Sequence, residues 1–155
     1  MPQAVNPSEE TIQVGPVEIR FLITGNDSNG NASFFEFRVP AGVKLMAPAH
    51  KNDTYEEIVY GLEGVLTWTV DGAPIAVGPG QALCIPRGAI HRFDNHGRQD
   101  ATALCVITPA AIGPQYFREA AEVIDAAAGG PPDRARMAEI MRRHGLTPAP
   151  PPPQS

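Results

Sequence analysis

The chain of 155 residues lacks any long apolar run. No apolar run approaches the roughly 18–20 residues that a membrane-spanning helix needs. The amino-terminal segment MPQAVNPSEE has no basic region followed by an apolar run, so it does not resemble a secretory signal peptide. We therefore expect a soluble, cytoplasmic protein with no membrane association.

Cysteine and lysine are also scarce. Cys84 and Cys105 lie in apolar, strand-like runs without CxxC spacing, which predicts buried free thiols rather than a disulfide. Only two of the twelve basic residues are lysines, and the net charge is −5. Four arginines cluster within 134–143, where acidic residues are interspersed. This mixture predicts a solvated helix face, and we expect no nucleic-acid partner.

Short β-type runs between turn signals are abundant over the first two-thirds of the chain. Runs rich in β-branched and aromatic residues lie at 17–24, 32–39, 57–61, 65–70, 81–86, 91–95 and 102–108. Turn-forming residues such as Asp71-Gly72 separate these runs. Many short strands at regular spacing predict an all-β sandwich or barrel.

The pattern becomes helical after Pro114. Apolar residues recur at helical spacing over 116–128, and Asp133 is placed to cap a second helix. We expect these helices to dock on the barrel or on a second subunit. The sequence thus predicts three parts: a β-barrel over 1–113, a helical segment over 114–146, and a proline-rich disordered tail over 147–155.

Two histidines and one acid stand out as candidates for chemistry. His50 precedes a strand, His91 follows a tight Pro-Arg-Gly turn, and Glu57 opens a core strand. A buried carboxylate is costly unless a partner compensates its charge, and a metal ion is one such partner. Glu56 precedes Glu57, and strand alternation lets only one of the two point inward. Spacing alone leaves a surface or hydrogen-bonding role open for each residue.

The spacing of glycine, proline and asparagine around these residues resembles the two signature motifs of the cupin superfamily. The segment GQALCIPRGAIHRFDN at 80–95 carries all the fixed positions of the second motif: Gly80, Pro86, Gly88, His91 and Asn95. The segment HKNDTYEEIVYGLEG at 50–64 carries those of the first motif at His50, Glu57 and Gly64. It departs at Asn52, where most metal-binding cupins have a second histidine.

This resemblance implies a double-stranded β-helix, the jelly-roll barrel, with one divalent metal ion held by His50, Glu57 and His91. Two histidines and one carboxylate resemble the triad that leaves open positions on Fe(II). The Asn52 carbonyl would be a weak fourth ligand or none. A neutral oxygen in place of imidazole favours Fe or Mn, with Zn or Ni as further possibilities. A weakly bound or structural metal, and a degenerate site without metal, remain as alternatives.

The resemblance also implies a reaction class. Small quercetin-dioxygenase-like cupins suggest an oxygen-dependent dioxygenase acting on a small organic molecule, with Glu57 as a metal ligand and catalytic candidate. The alternatives are a non-redox isomerase, decarboxylase or lyase, and a non-catalytic small-molecule binder. Six apolar residues are candidates to line the substrate pocket: Phe35, Phe37, Val59, Trp68, Ile85 and Phe93. Because cupin barrels commonly exchange amino-terminal strands, the stretch 11–39 predicts a homodimer.

Overall fold

The structure is a computed structural model that describes residues 2–4, 6, 10–45 and 47–150. Its strands form two antiparallel sheets, which confirms the predicted all-β jelly-roll class. The strands are β1 (Ile12–Val14), β2 (Val17–Ile23), β3 (Ser33–Val39), β4 (His50–Asn52), β5 (Glu56–Glu63), β6 (Leu66–Val70), β7 (Ala73–Val77), β8 (Ala82–Ile85), β9 (His91–Asp94), β10 (Ala101–Thr108) and β11 (Leu146–Pro148). One sheet has the order β1-β2-β3-β10-β5-β8, and the other has the order β11-β4-β9-β6-β7.

Strand alternation builds the core between the two sheets. In β3 and β10, which pair antiparallel, every second residue is buried while the residues between are mostly half-exposed. Phe37 of β3 thereby faces Trp68 and Phe93 of the opposite sheet, with ring centroids 5.9 and 5.0 Å away, and Phe35 packs against Phe117 of the helical segment at 5.1 Å. This aromatic packing forms the wall of the barrel interior.

Tight turns join the strands where the motifs place glycine. Gly64 has a φ of 63° and Gly88 a φ of 84°, a left-handed conformation that glycine adopts without steric cost. A Cβ at Gly64 would also meet the backbone of Asp100 and Ala101, so this turn lies against the start of β10.

Two helices follow the barrel, as predicted. They are α1 (Pro114–Ala126) and α2 (Arg134–Arg143), and the Asp133 side chain accepts a hydrogen bond from the Arg136 N–H at the start of α2. Helix α1 packs on β1, and α2 packs on α1 and β11. The helices therefore dock on the barrel of their own chain. No helix in the described residues is long and apolar enough to span a membrane.

Two sequence-based expectations were wrong. Residues 147–148 are not disordered: they belong to β11, which pairs with β4 so that Pro148 lies opposite His50. Residues 151–155 of the expected tail lie outside the described residues. Cys84 is exposed rather than buried, because its neighbour Ile85 takes the inward position on β8 and sends the thiol to the outer face.

Candidate metal and ligand site

A mainly apolar cavity of about 100 Å³ opens into the barrel between the sheets and α1. Its apolar wall includes Phe35 and Phe37 from β3, Phe93 from β9 and Phe117 from α1. Its polar end is formed by His50, Asn52, Tyr55, Glu57 and Tyr116. The cavity thus joins an aromatic lining to a small set of polar groups, as binding sites for small organic molecules do.

Short strands from both sheets bring the polar residues together. β4 carries His50 and Asn52, and β9 carries His91, which pairs directly opposite His50. Glu57 comes from β5 in the other sheet. The imidazole centroids of His50 and His91 are 4.6 Å apart. The three residues predicted as metal ligands therefore meet at one end of the barrel, although they are distant in sequence.

The Glu57 carboxylate accepts three hydrogen bonds. His91 Nε2 and Asn52 Nδ2 lie 2.9 and 3.2 Å from Oε2, and the Cys105 thiol lies 3.2 Å from Oε1. Glu56 points outward instead and forms a bidentate pair with Arg87 at 2.8 and 2.9 Å. Strand alternation thus selects Glu57 as the inward acid, as predicted.

Both histidines are oriented by the backbone. His50 Nδ1 lies 3.1 Å from the Pro48 carbonyl, and His91 Nδ1 lies 3.0 Å from the Ala89 carbonyl. A carbonyl can only accept, so these contacts place a proton on each Nδ1 and direct each Nε2 toward the site. Metal-binding histidines are commonly oriented in this way.

Burial and charge set the protonation of the cluster. Burial alone would raise the pKa of Glu57, but the hydrogen bond from His91 and the charges of His91 and His50 bring it down to about 2. Burial, together with repulsion from His91, lowers the pKa of His50 to about 4. Burial also opposes the charged form of His91, yet its hydrogen bond with Glu57 leaves the His91 pKa raised. At neutral pH, Glu57 is therefore a carboxylate and His50 a neutral imidazole with a free lone pair on Nε2.

The donor types fit a divalent ion. Imidazole nitrogen and carboxylate oxygen are both common ligands of such ions. His91 Nε2 and Glu57 Oε2 are joined by a hydrogen bond of 2.9 Å, which an ion would have to replace. Within residues 10–45 and 47–150, however, no three His, Cys, Asp or Glu side chains are grouped closely enough to hold an ion as they stand. A bound ion therefore requires some adjustment of these side chains.

Asn52 stands where most metal-binding cupins have a histidine, but it acts here as a hydrogen-bond donor. It is 1% exposed, and its amide N–H donates toward Glu57. In this orientation Asn52 positions the carboxylate and does not present a ligand oxygen to the same point. Asp53, its neighbour, faces away and accepts the Thr147 hydroxyl at 2.9 Å.

The predicted pocket residues divide into two groups. Phe35, Phe37 and Phe93 line the cavity. Val59, Trp68 and Ile85 are at most 1% exposed and are not among the residues that line it. These three side chains belong to the core that supports the cavity wall, because their positions on β5, β6 and β8 place them behind it.

Sequence reasoning missed several polar groups at the site. Tyr55 lies inside the first motif, Lys44 precedes it, and Tyr116 comes from α1; all three line the cavity. Cys105 was expected to be only a buried thiol, but it donates to Glu57. No direct sequence signal indicated these roles, because Tyr55 precedes β5 and strand parity does not extend to it.

Asn95, a fixed position of the second motif, has a structural role. Its buried amide donates to the carbonyls of Val39 and Gln99 at 3.0 and 2.9 Å, and its Oδ1 accepts the Gly97 N–H. The motif therefore combines residues that form the site with residues that hold the loop after β9.

Comparison with known proteins agrees with this architecture. Residues 35–107 match the family model described as "Cupin domain". The chain is also 33% identical over 108 residues to "Uncharacterized protein MJ1618" of Methanocaldococcus jannaschii, over 69% of this chain and 81% of that protein. The chain belongs to the cupin family.

Solved structures show the same fold at low sequence identity. A predicted oxalate decarboxylase from Thermotoga maritima superposes with a TM-score of 0.57 at 24% identity, over 68% of this chain and 93% of that one. KdgF from Halomonas sp. gives a TM-score of 0.57 at 14% identity, over 65% of this chain and 86% of that one. At these identities the likeness establishes the fold alone.

Proposed function

We propose that this cupin is a metal-dependent enzyme that acts on a small organic molecule, most directly in an oxygen-dependent, dioxygenase-type reaction. The observation that carries the proposal is a cluster of two oriented histidines and one carboxylate at an aromatic cavity. His50 and Glu57 line the cavity. His91 does not line it but lies against both, with its Nε2 2.9 Å from Glu57 and its ring centroid 4.6 Å from that of His50. Two histidines and one carboxylate are the ligand set of many non-haem iron oxygenases.

His50, Glu57 and His91 would hold one divalent ion, Fe or Mn in preference to Zn or Ni. When bound, such an ion polarises substrate oxygens or activates dioxygen. Asn52 and Cys105 hold the Glu57 carboxylate from opposite oxygens, and so keep it aimed into the site. Phe35, Phe37 and Phe93 would hold the apolar part of the substrate and exclude water.

A non-redox reaction is the second candidate. The hydrogen bond between Glu57 and His91 couples a carboxylate to an imidazole at 2.9 Å, an arrangement that can take up and return a proton. Such a pair suits an isomerase, decarboxylase or lyase in which the substrate loses a proton beside a carbonyl. A binder without catalysis would use the same cavity and leave the substrate unchanged.

Elemental analysis tests the metal. Protein purified without added metal should contain near-stoichiometric Fe or Mn, and His91→Ala should lose it because one ligand is removed. His96→Ala is the matched control, since His96 is exposed and lies outside the site. The Asn52→His variant should bind metal about tenfold more tightly, since it restores an imidazole ligand. A wild-type protein without metal, alongside an Asn52→His variant that gains it, would support the degenerate site instead.

An oxygen-electrode screen then separates the reaction classes. Metal-loaded protein is incubated with phenols and 1,3-diketones, and oxygen uptake is compared with that of His91→Ala. Uptake that depends on His91 supports the dioxygenase. Product formation without oxygen uptake, followed by NMR, supports the non-redox reaction, and ligand binding without turnover supports the binder.

We also propose that the protein forms a homodimer. Ile58, Tyr60 and Leu62 alternate on the outer face of β5, each 37–43% exposed. Apolar side chains on one sheet face are a surface that a second copy can cover. Light scattering at micromolar protein should give twice the monomer mass of 16.5 kDa; a monomeric mass would refute the proposal.

A further inference from the structure

Tyr55 is the polar residue at the cavity whose bonding the fold leaves incomplete. The residue lies between β4 and β5, is 0% exposed and contributes to the cavity lining. Its hydroxyl is buried and has no hydrogen-bond partner in the described residues. Buried hydroxyls are normally satisfied, so an unpaired one indicates a partner that comes from outside the chain.

The polar neighbours of Tyr55 leave its hydroxyl unpaired. The phenol is close enough to Glu57, Tyr116 and Cys105 to interact electrostatically with each of them. The three hydrogen bonds of the Glu57 carboxylate come instead from His91, Asn52 and Cys105. A phenol is protonated at neutral pH, so the Tyr55 hydroxyl can donate a hydrogen bond.

Tyr55 differs from the other unpaired groups. The Trp68 Nε1 and Arg92 Nε atoms are also buried without a partner in the described structure, yet neither residue lines the cavity. Among the described residues, Tyr55 alone combines a buried, unpaired donor atom with a place in the cavity lining, and it lies near Glu57. A ligand in this cavity would therefore find a buried donor without a partner close to a proposed metal ligand.

We propose that Tyr55 positions the substrate by donating its phenolic hydrogen to an acceptor oxygen of the bound molecule, a carbonyl, enolate or carboxylate oxygen. This role rests on the proposed function, since it requires a small molecule in the cavity. It predicts how the ligand is oriented: its acceptor oxygen faces Tyr55 and Glu57, and its apolar part faces Phe35 and Phe93. A purely apolar ligand would leave the hydroxyl unpaired and would bind without its help.

Thermal unfolding of the full chain without ligand is the first test. Tyr55→Phe removes a hydroxyl that bonds to nothing, so the Tm should stay the same or rise by about 2–4 °C. Tyr60→Phe is the matched control, because it removes the same hydroxyl from a tyrosine that does not line the cavity. A fall in Tm of more than about 2 °C specific to Tyr55→Phe would mean that the hydroxyl has a structural partner, and would overturn the proposal.

Ligand binding is the second test, and NMR titration measures it on protein stripped of metal with a chelator. The probes are acetophenone and α-methylstyrene, which share a shape and differ by an acceptor oxygen. Tyr55→Phe should weaken acetophenone binding about 3- to 10-fold and leave α-methylstyrene binding unchanged, as expected for one neutral hydrogen bond. Tyr60→Phe should change neither affinity.

The outcomes separate this inference from the proposed function. If wild type and Tyr55→Phe bind acetophenone equally well, the proposed role of Tyr55 is overturned. The same holds if neither protein binds acetophenone. The titration needs no metal, so a protein found to lack metal by elemental analysis would refute the metal proposal without affecting this result. Selective loss of acetophenone binding supports the role of Tyr55 whichever reaction class the oxygen screen identifies.

Discussion

The molecule contains two histidine–glutamate pairs that have the same chemistry and different surroundings. His91 and Glu57 lie 2.9 Å apart between the two sheets, with side chains 2% and 13% exposed. His144 and Glu119 lie 2.6 Å apart where α2 ends on α1, and each is 19% exposed. The first pair is held within the barrel beside a cavity, whereas the second joins two helices near solvent and shares Glu119 with Arg143.

This difference shows that environment, rather than residue type, makes a functional site. Inside the barrel the Glu57 side chain is only 13% exposed, so the stability of its carboxylate depends largely on His91, Asn52 and Cys105. Near the surface, water compensates the Glu119 charge if a partner is lost. Substitutions in the two pairs should therefore have very different costs.

The largest effect is expected at His91. His91→Ala leaves the Glu57 carboxylate buried without its main partner, so the free energy of unfolding should fall by about 3 kcal/mol. Urea denaturation followed by circular dichroism measures this value. His96→Ala should stay within about 0.5 kcal/mol of wild type, since His96 is exposed. If the free energy of unfolding fell equally in His91→Ala and His96→Ala, the buried His91–Glu57 pair would not have the cost expected of it.

A smaller effect is expected at Cys105. Cys105→Ala removes a buried donor to Glu57 and leaves a small void, so the free energy of unfolding should fall by about 1–2 kcal/mol. Cys105→Ser keeps a donor to Glu57. Its affinity for added Mn, measured by calorimetry, should therefore lie between that of Cys105→Ala and that of wild type. Cys84→Ala is the matched control, because its thiol is exposed. If both alanine variants behaved alike, Cys105 would not be a partner of Glu57.

The smallest effect is expected at the helical pair. His144→Ala should cost less than about 1 kcal/mol at pH 7, because Arg143 still pairs with the partly exposed Glu119. The hydrogen bonds from His144 and Arg143 lower the pKa of Glu119 from 4.5. A lowered pKa stabilises the fold above pH 4.5, and this contribution disappears as the pH falls through the folded value. The difference between wild type and His144→Ala should thus shrink below pH 4.5 in thermal scans; a difference that grows there would contradict this assignment.

Much of the site could be predicted because its residues carry local signals. Strand parity let only one of Glu56 and Glu57 point inward, and the resemblance to the first motif indicated Glu57, which lines the cavity while Glu56 pairs with Arg87 outside. Gly64 and Gly88 have the left-handed φ expected of tight turns. The exposed Cys84 was missed because an apolar run does not reveal which of its faces is covered. The unpaired hydroxyl of Tyr55 had no signal at all, since hydrogen bonding depends on neighbours that are remote in sequence.

The sequence by itself determined the fold class, seven of the eleven strands in the described residues and the residue types of the site, because side-chain parity and turn chemistry act over a few neighbouring residues. Only the tertiary structure decided what those residues do together. It brings Cys105 to Glu57 across 48 positions, builds part of the cavity wall from α1, and pairs β11 with the strand that carries His50. These contacts depend on the register between strands and on helix docking, which long-range packing sets.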